Sequence, residues 1–222
     1  MSKINYQIIL IGKYQVGKNT LINKLCPDKK EKDNISLFGV DKINLDFNIN
    51  ITKNNIEQKI NININLICPA GSERYKSFNE KYLKSTDGLI FLYDITDRNS
   101  FYDISNQIND INYIKNKNSL IEDEYRGENL VMMLIGNKLD LLDKDGFNRE
   151  IIEENAKNIC EQNDILWGGE RSLKNIDSVE LYEIMKKFVI KMYNQIGENN
   201  LESRKNSKSE KEKKKKNNCS IF

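Results

Sequence analysis

Two glycines and a lysine near the N-terminus have the spacing of a phosphate-binding loop. Gly12 and Gly17 enclose four residues, and Lys18 follows directly. In this arrangement, backbone N–H groups can wrap a β-phosphate while the lysine ammonium reaches the outer phosphates. A simple turn from a strand into a helix is the alternative interpretation of the same glycines.

The side chains of this loop depart from the pattern that binds magnesium. Such loops place Ser or Thr after the lysine, whereas this chain has Asn19. An amide oxygen can contact magnesium, but the NH₂ group repels the cation or crowds the phosphate, so we expect weak or absent metal binding. Gln15 stands where glycine commonly supplies an unusual backbone angle, and Tyr14 adds bulk beside it. The residues expected to contact a nucleotide here are Gly12, Gln15, Val16, Gly17, Lys18, Asn19 and Thr20.

A second candidate loop, Asn137-Lys138-Leu139-Asp140, could read a base. It follows the apolar residues 131–136, so its side chains would project from the end of a strand. The Asp140 carboxylate can accept two hydrogen bonds from the N1–H and the exocyclic amine of guanine, a pair of donors that adenine lacks on that edge. A solvated loop in an Asn- and Lys-rich chain is the alternative, but the position after a strand favours guanine binding.

The apolar pattern predicts the elements that would position these loops. Continuous apolar runs and Ile/Asn alternation predict strands at 6–11, 43–51, 58–67, 89–93, 130–135 and 165–167. Helical spacing predicts helices at 18–25, 100–117, 149–163 and 179–196, with a polar insertion at 114–129. This alternation predicts an α/β fold with a doubly wound, mostly parallel six-stranded sheet and helices on both faces. Ligands of such sheets bind at the carboxyl ends of the strands, where the candidate loops fall.

Composition limits the classes of function. The 222 residues, 38% of them hydrophobic, predict one globular domain at 1–197 and a disordered tail at 198–222. Four scattered cysteines and the lack of histidine exclude zinc fingers and an imidazole base. No run of eighteen apolar residues occurs, so we expect a cytosolic protein with neither a spanning helix nor a signal peptide.

The tail carries most of the excess positive charge. Residues 204–222 contain eight basic and two acidic residues, whereas the rest of the chain has 27 basic and 31 acidic ones. This asymmetry disfavours nucleic-acid binding by the body and favours an anionic surface as partner of the tail. The ending Cys219-Ser220-Ile221-Phe222 fits a prenylation box for geranylgeranyl, with the basic residues 213–216 just upstream. A lipid and a basic patch together suffice for stable membrane anchoring, although a solvated tail that happens to contain Cys is the alternative.

Five segments, in order and spacing, make the chain similar to a Ras-superfamily small GTPase, most like a Rab. They are residues 12–18, 38–41, 69–75, 137–140 and 172–174, and residues 87–101 resemble the Rab strand and helix almost throughout. The similarity covers about residues 4–196 and the extreme C-terminus. It implies that Lys18, Gly71 and the loop amides hold phosphates and that Asn137, Lys138 and Asp140 hold guanine. Ser172, Leu173 and Lys174 would stand for the family's Ser-Ala-Lys loop, although residues 167–171 before them depart from the family pattern.

Four departures, Asn19 among them, lie at the metal and the γ-phosphate. Where the family has a loop hydroxyl, a switch I Thr, a Walker B Asp and a switch II Gln, this chain has Asn19, Leu37, Cys68 and Ser72. Cys68 offers no hard oxygen to magnesium, and Ser72, at the catalytic position, is too short to orient water as Gln does.

The resemblance implies a membrane-anchored, Rab-like GTP/GDP-binding protein with slow hydrolysis, acting in vesicle trafficking on the cytoplasmic face of an internal membrane, with a cytosolic pool. Effectors and regulators would bind its switch-like regions, and we expect a monomer that binds no nucleic acid. The alternative, which the four substitutions favour, is a pseudo-GTPase, GDP-locked or nucleotide-free, that serves as a membrane-tethered protein-binding module. An ATP-using P-loop enzyme is disfavoured by Asp140.

Overall fold

A single β-sheet forms the centre of the molecule. The computed structural model describes residues 4–27, 40–53, 56–69, 86–118 and 130–197, and six strands and four α-helices lie in these ranges. The strands are β1 Ile4–Ile11, β2 Val40–Lys53, β3 Ile56–Pro69, β4 Gly88–Asp94, β5 Val131–Asn137 and β6 Ile165–Glu170. They lie in the order β2-β3-β1-β4-β5-β6, and every neighbouring pair is parallel except β2 with β3.

The helices cover both faces of this sheet. They are α1 Lys18–Leu25, α2 Arg98–Asn118, α3 Glu153–Gln162 and α4 Ser178–Ile196. One apolar cluster joins the sheet to α1 and α4, and a second joins it to α2 and α3. Ile8 belongs to the first cluster and Ile9 to the second, because successive side chains of a strand point to opposite faces. The predicted α/β fold, mostly parallel and with helices on both faces, is confirmed.

The hairpin of β2 and β3 is longer than the sequence predicts. Its register runs without interruption from Val40 opposite Pro69 to Lys53 opposite Ile56, whereas the apolar alternation predicts only 43–51 and 58–67. Backbone hydrogen bonds between strands do not depend on the side chains, so pairing continues beyond the apolar alternation at both ends. The carboxyl end of β3, with Cys68, is thereby held beside the carboxyl end of β1.

One predicted helix boundary is wrong, and the predicted insertion overlaps the end of a helix. The helix predicted from residue 149 begins at Glu153, because the N–H groups of Glu150 and Ile151 donate to the carbonyl oxygen of Ile95, at 3.0 and 3.3 Å, and the chain is extended there. The insertion predicted from residue 114 begins later, because α2 continues to Asn118. Its apolar side chains at 101, 104, 108 and 111 recur at helical spacing and pack on the sheet. None of the helices in the described ranges is both long and apolar enough to cross a membrane.

Candidate nucleotide-binding site

The phosphate loop, residues 12–18, connects β1 to α1, and neither of its glycines has room for a side chain. Gly17 has φ 109°, a left-handed conformation that side chains disfavour. A Cβ atom at Gly17 would overlap Nδ2 of Asn137. At Gly12 it would overlap the carbonyl oxygen of Leu92 and lie 2.9 Å from a methyl group of Val16. The loop is therefore packed tightly against β4 and β5.

The loop presents hydrogen-bond donors. The Lys18 ammonium donates to the carbonyl oxygens of Gly12, at 2.6 Å, and Lys13, at 2.7 Å, which leaves its third N–H for another acceptor. Burial lowers the pKa of Lys18, while the nearby Cys68 opposes that shift. Among the described backbone bonds outside helices and strands, none uses an N–H of residues 13–18 as donor. This donor set suits an anion at a helix N-terminus.

Gln15 adopts the left-handed backbone that glycine usually supplies. Its φ is 66°, and its side chain is exposed. Because a left-handed conformation costs an L-residue about 1 kcal/mol, we expect Gln15→Gly to raise the free energy of unfolding by about 0.5–1 kcal/mol. Thermal and urea unfolding would measure the change. Asn148→Gly, at an exposed position without positive φ, is the matched control and should instead lower stability. Equal effects of the two substitutions would contradict strain at Gln15.

The side chain of Asn137 joins the phosphate loop to residues 171–174. Asn137 ends β5 and is 4% exposed. Its Nδ2 donates to the carbonyl oxygen of Val16 at 2.7 Å, and its Oδ1 accepts from the N–H of Leu173 at 2.9 Å. One buried side chain thus fixes the phosphate loop and the base loop, residues 171–174, relative to one another. We call this pair of hydrogen bonds the Asn137 clasp.

Lys138 and Asp140 follow Asn137 directly after the carboxyl end of β5. Lys138 has φ 71°, and its Nζ lies 2.7 Å from Oδ2 of Asp94. Asp140 lies in a short 3₁₀ helix, Leu139–Leu141, and its Oδ1 accepts a 2.7 Å hydrogen bond from Oγ of Ser172. That hydrogen bond lowers the pKa of the Asp140 carboxyl, and Lys144 contributes in the same direction. The ionised carboxylate accepts hydrogen bonds only, as the donor edge of guanine requires.

A β-bulge brings the base loop into position. Leu134 pairs with Trp167 and Gly136 with Glu170, so two steps along β5 correspond to three along β6. Gly169 has φ 86°, and a Cβ at Gly168 would lie 2.7 Å from a side-chain carbon of Ile135. The extra residue is therefore accommodated by the two glycines, and the departure at 167–171 does not displace the loop.

The bulge lets the base loop reach the strand end in register. The N–H of Arg171 donates to the carbonyl oxygen of Gly136 at 2.8 Å, and Leu139 donates to that of Arg171 at 3.1 Å. Ser172 and Leu173 thereby meet Asp140 and Asn137, whereas Lys174 is exposed in the following turn.

Three residues of this region, Tyr93, Arg149 and Glu170, were not among the residues predicted for the site. The buried Glu170 accepts hydrogen bonds at Oε1 from Nη1 of Arg149, at 2.7 Å, and from the hydroxyl of Tyr93, at 3.3 Å. Glu170 precedes the base loop directly, and this adjacency is the one feature that could have singled it out. Nothing in the spacing of the chain points to Arg149.

The described residues fit a nucleotide better than a magnesium ion. Asn19 is exposed in the first turn of α1, Thr20 is half-buried, and the thiol of Cys68 is buried near Lys18. Within the described ranges, no group of three or more His, Cys, Asp or Glu side chains could hold a metal. A thiol and an amide do not match the preference of magnesium for carboxylate and hydroxyl oxygens, so the cation does not fit. Leu37, Gly71, Ser72 and Cys219 lie outside the described residues.

This chain is similar to known proteins over most of its length. The sequence model of the Ras family matches residues 7–194. The Ras-related protein Rab-1D of Dictyostelium discoideum is 31% identical over 176 residues, 79% of this chain and 74% of the relative. The Ras-related protein Rab-19 of Xenopus laevis is 30% identical over 186 residues, 83% of this chain and 76% of the relative. RABD2a of Arabidopsis thaliana is 29% identical over 175 residues, 79% of this chain and 74% of the relative.

Proposed function

Since the chain belongs to the Ras family and is a Rab-like small GTPase, we propose that it binds guanine nucleotide without magnesium and hydrolyses GTP slowly. It acts as a membrane-anchored monomer in intracellular vesicle trafficking. The observation that carries the binding half of this proposal is the Asn137 clasp, which fixes the phosphate loop and the base loop together. A site that holds the phosphate loop beside the base loop matches a ligand that has phosphates at one end and a base at the other.

The described side chains divide the nucleotide between them. Two of the three ammonium N–H groups of Lys18 already donate to the carbonyl oxygens of Gly12 and Lys13. The third, together with the loop N–H groups, would hold the phosphates. Asp140, oriented by Ser172, would accept hydrogen bonds from guanine. The ion pair with Asp94 holds the side chain of Lys138 in place. The bound GTP supplies the phosphoanhydride bond, and the protein supplies orientation and positive charge.

Slow hydrolysis follows from the substituted positions. Cys68 replaces the carboxylate expected at the end of β3, and its burial near Lys18 leaves no hard oxygen there for magnesium. Ser72 replaces the water-orienting Gln. The same thiol favours a second candidate function, a pseudo-GTPase whose GDP-locked or empty form presents a fixed surface to protein partners. Both candidates keep the fold and differ in whether the nucleotide turns over.

The membrane half of the proposal comes from the tail. Geranylgeranylation at Cys219 with the basic residues 213–216 supplies the two signals that stable anchoring needs. The family relatives are Rab-named proteins, which supports the cytoplasmic face of an internal membrane and binding of effectors and regulators.

Magnesium removal tests the nucleotide proposal. We expect the purified protein to release GDP or GTP on denaturation, and EDTA to change the nucleotide dissociation rate by less than about twofold, equivalent to about 0.4 kcal/mol. Chromatography of the released nucleotide and fluorescence of a labelled GDP would measure these quantities. In the matched variant Asn19→Ser/Cys68→Asp, which restores oxygen ligands, EDTA should accelerate release by about tenfold or more.

Three results would contradict parts of the proposal. Rapid loss of nucleotide from the unmodified protein in EDTA would show that a magnesium site exists despite Cys68 and Asn19. Absence of any retained or added nucleotide would instead favour the nucleotide-free binding module. Fast single-turnover hydrolysis of bound GTP would contradict slow turnover while leaving the binding half intact.

A further inference from the structure

A buried carboxylate lies directly beneath the base loop. Glu170, the last residue of β6, has a side chain that is 5% exposed. Its Oε1 accepts from Nη1 of Arg149 at 2.7 Å and from the hydroxyl of Tyr93 at 3.3 Å. A buried carboxylate without such partners is strongly disfavoured, so these two donors hold Glu170 in one place.

The Arg149–Glu170–Tyr93 cluster brings together three parts of the fold. Tyr93 lies near the end of β4, Glu170 ends β6, and Arg149 lies in the extended segment before α3, where it also donates to the carbonyl oxygen of Ile151 at 3.0 Å. The hydrogen bond to Glu170 raises the pKa of Arg149. Burial raises the pKa of Tyr93, and Glu170 adds to that shift, so its hydroxyl remains a donor.

This cluster also presses on the strand end that carries the base-reading residues. A Cβ atom at Gly136 would lie 2.8 Å from the Tyr93 hydroxyl oxygen and 2.9 Å from Cγ of Glu170. Gly136 precedes Asn137, and its carbonyl oxygen accepts from the N–H of Arg171. The cluster therefore sits where β5 and β6 meet, one residue from the start of the base loop on one strand and one residue from the Asn137 clasp on the other.

We propose that Arg149 is a positioning residue for guanine recognition, which acts through Glu170 and Tyr93 to hold the base loop against Asn137 and Asp140. This inference rests on the proposed binding of guanine nucleotide. The hydrogen bonds of Arg149 go to Glu170 and to the carbonyl oxygen of Ile151, so its effect on the base loop passes through the buried carboxylate and the bulged strand. The bulge makes such an anchor necessary, because Gly168 and Gly169 leave β6 with little side-chain packing just before the loop.

The test compares guanine affinity with affinity for the phosphate part alone. We expect Arg149→Met to weaken GDP binding by about tenfold, with binding of pyrophosphate changed by less than about twofold. Arg149→Lys, which retains a cation for Glu170, should recover most of the loss. Lys191→Met removes an exposed ion pair with Asp164 near the opposite end of β6 and should leave both affinities unchanged. Titration calorimetry measures each affinity, and the emission of Trp167, the one tryptophan of the chain, provides a second readout.

Hydrogen exchange in nucleotide-free protein separates this inference from the proposed function. In Arg149→Met, the N–H groups of Arg171 and Leu173 should exchange faster, while those of β1 stay protected. Unchanged exchange, unchanged GDP affinity, or an equal loss of GDP and pyrophosphate binding would each overturn the positioning role. If the unmodified protein binds no GDP, the proposed function fails and the exchange of these two amides still decides whether Arg149 holds the loop. Should Arg149→Met not fold, Tyr93→Phe carries the same test, with GDP binding weakened by about threefold.

Discussion

Gly17→Ala is expected to abolish nucleotide binding and to lower the free energy of unfolding by about 2–4 kcal/mol. The added methyl group meets two obstacles. The backbone at Gly17 has φ 109°, which strains any L-residue, and the Cβ would overlap Nδ2 of Asn137. That nitrogen donates to the carbonyl oxygen of Val16, so the overlap must break the Asn137 clasp. A buried carbonyl oxygen and a buried amide would then lack partners, and the phosphate loop would separate from the base loop.

Gly146→Ala is the matched control for this substitution. Gly146 also has a positive φ, 85°, but no heavy atom lies within 4 Å of the position its Cβ would take. It should therefore show only the backbone strain, about 1 kcal/mol, with unchanged GDP affinity. Calorimetric titration with GDP and denaturant unfolding of both variants give the comparison. Equal losses of stability in the two variants would mean that the contact between Gly17 and Asn137 has no energetic weight.

Asp140→Asn is expected to weaken GDP binding by roughly 30- to 150-fold, or about 2–3 kcal/mol, and to improve binding of xanthosine diphosphate. The carboxylate offers acceptors only, which match the N1–H and amine of guanine. An amide offers one acceptor and one NH₂ donor, and xanthine presents a carbonyl in place of the amine. The hydrogen bond from Ser172, at 2.7 Å, can be kept by the amide oxygen, so the base loop itself should stay in place.

The control for Asp140→Asn is Asp143→Asn. Asp143 is exposed and lies three residues further along the chain, so the same loss of charge should leave GDP affinity within about twofold. Competition binding of GDP and xanthosine diphosphate against a labelled nucleotide measures the exchange of preference. A loss of GDP affinity without a gain for xanthosine diphosphate would indicate that Asp140 supports the loop and does not read the base.

The strands that bear the site were predictable because burial on both faces leaves a local mark. β4 and β5 are buried throughout, and their continuous apolar runs predict them closely. The ends of β2 and β3 were not predictable, because the strands continue to pair there beyond the Ile/Asn alternation. Likewise, the extended segment before α3 depends on a carbonyl at Ile95, more than fifty residues away, which no local pattern reveals.

The sequence predicts a role for single residues of the site, but it did not predict the contacts that connect them. Spacing predicts that Lys18 faces phosphate and that Asp140 faces a base. The bond between Asn137 and Val16 joins residues 121 positions apart, and the one between Arg149 and Glu170 crosses from a loop to a strand. Such contacts depend on where the sheet brings the strand ends. The bulge at Gly168 and Gly169 was not predictable either. In the sequence these residues depart from the family pattern, whereas in the structure they let Glu170 pair with Gly136.

The Asn137 clasp has a consequence for how the protein is made. A ribosome releases Val16 early, but Asn137 emerges 121 residues later and Leu173 another 36 after that. At about 5–20 residues per second, roughly ten to thirty seconds pass between the synthesis of the phosphate loop and that of Leu173. A nascent chain that stalls before Leu173 therefore has a phosphate loop without a complete Asn137 clasp. Chaperones at the exit tunnel would meet the chain in this state.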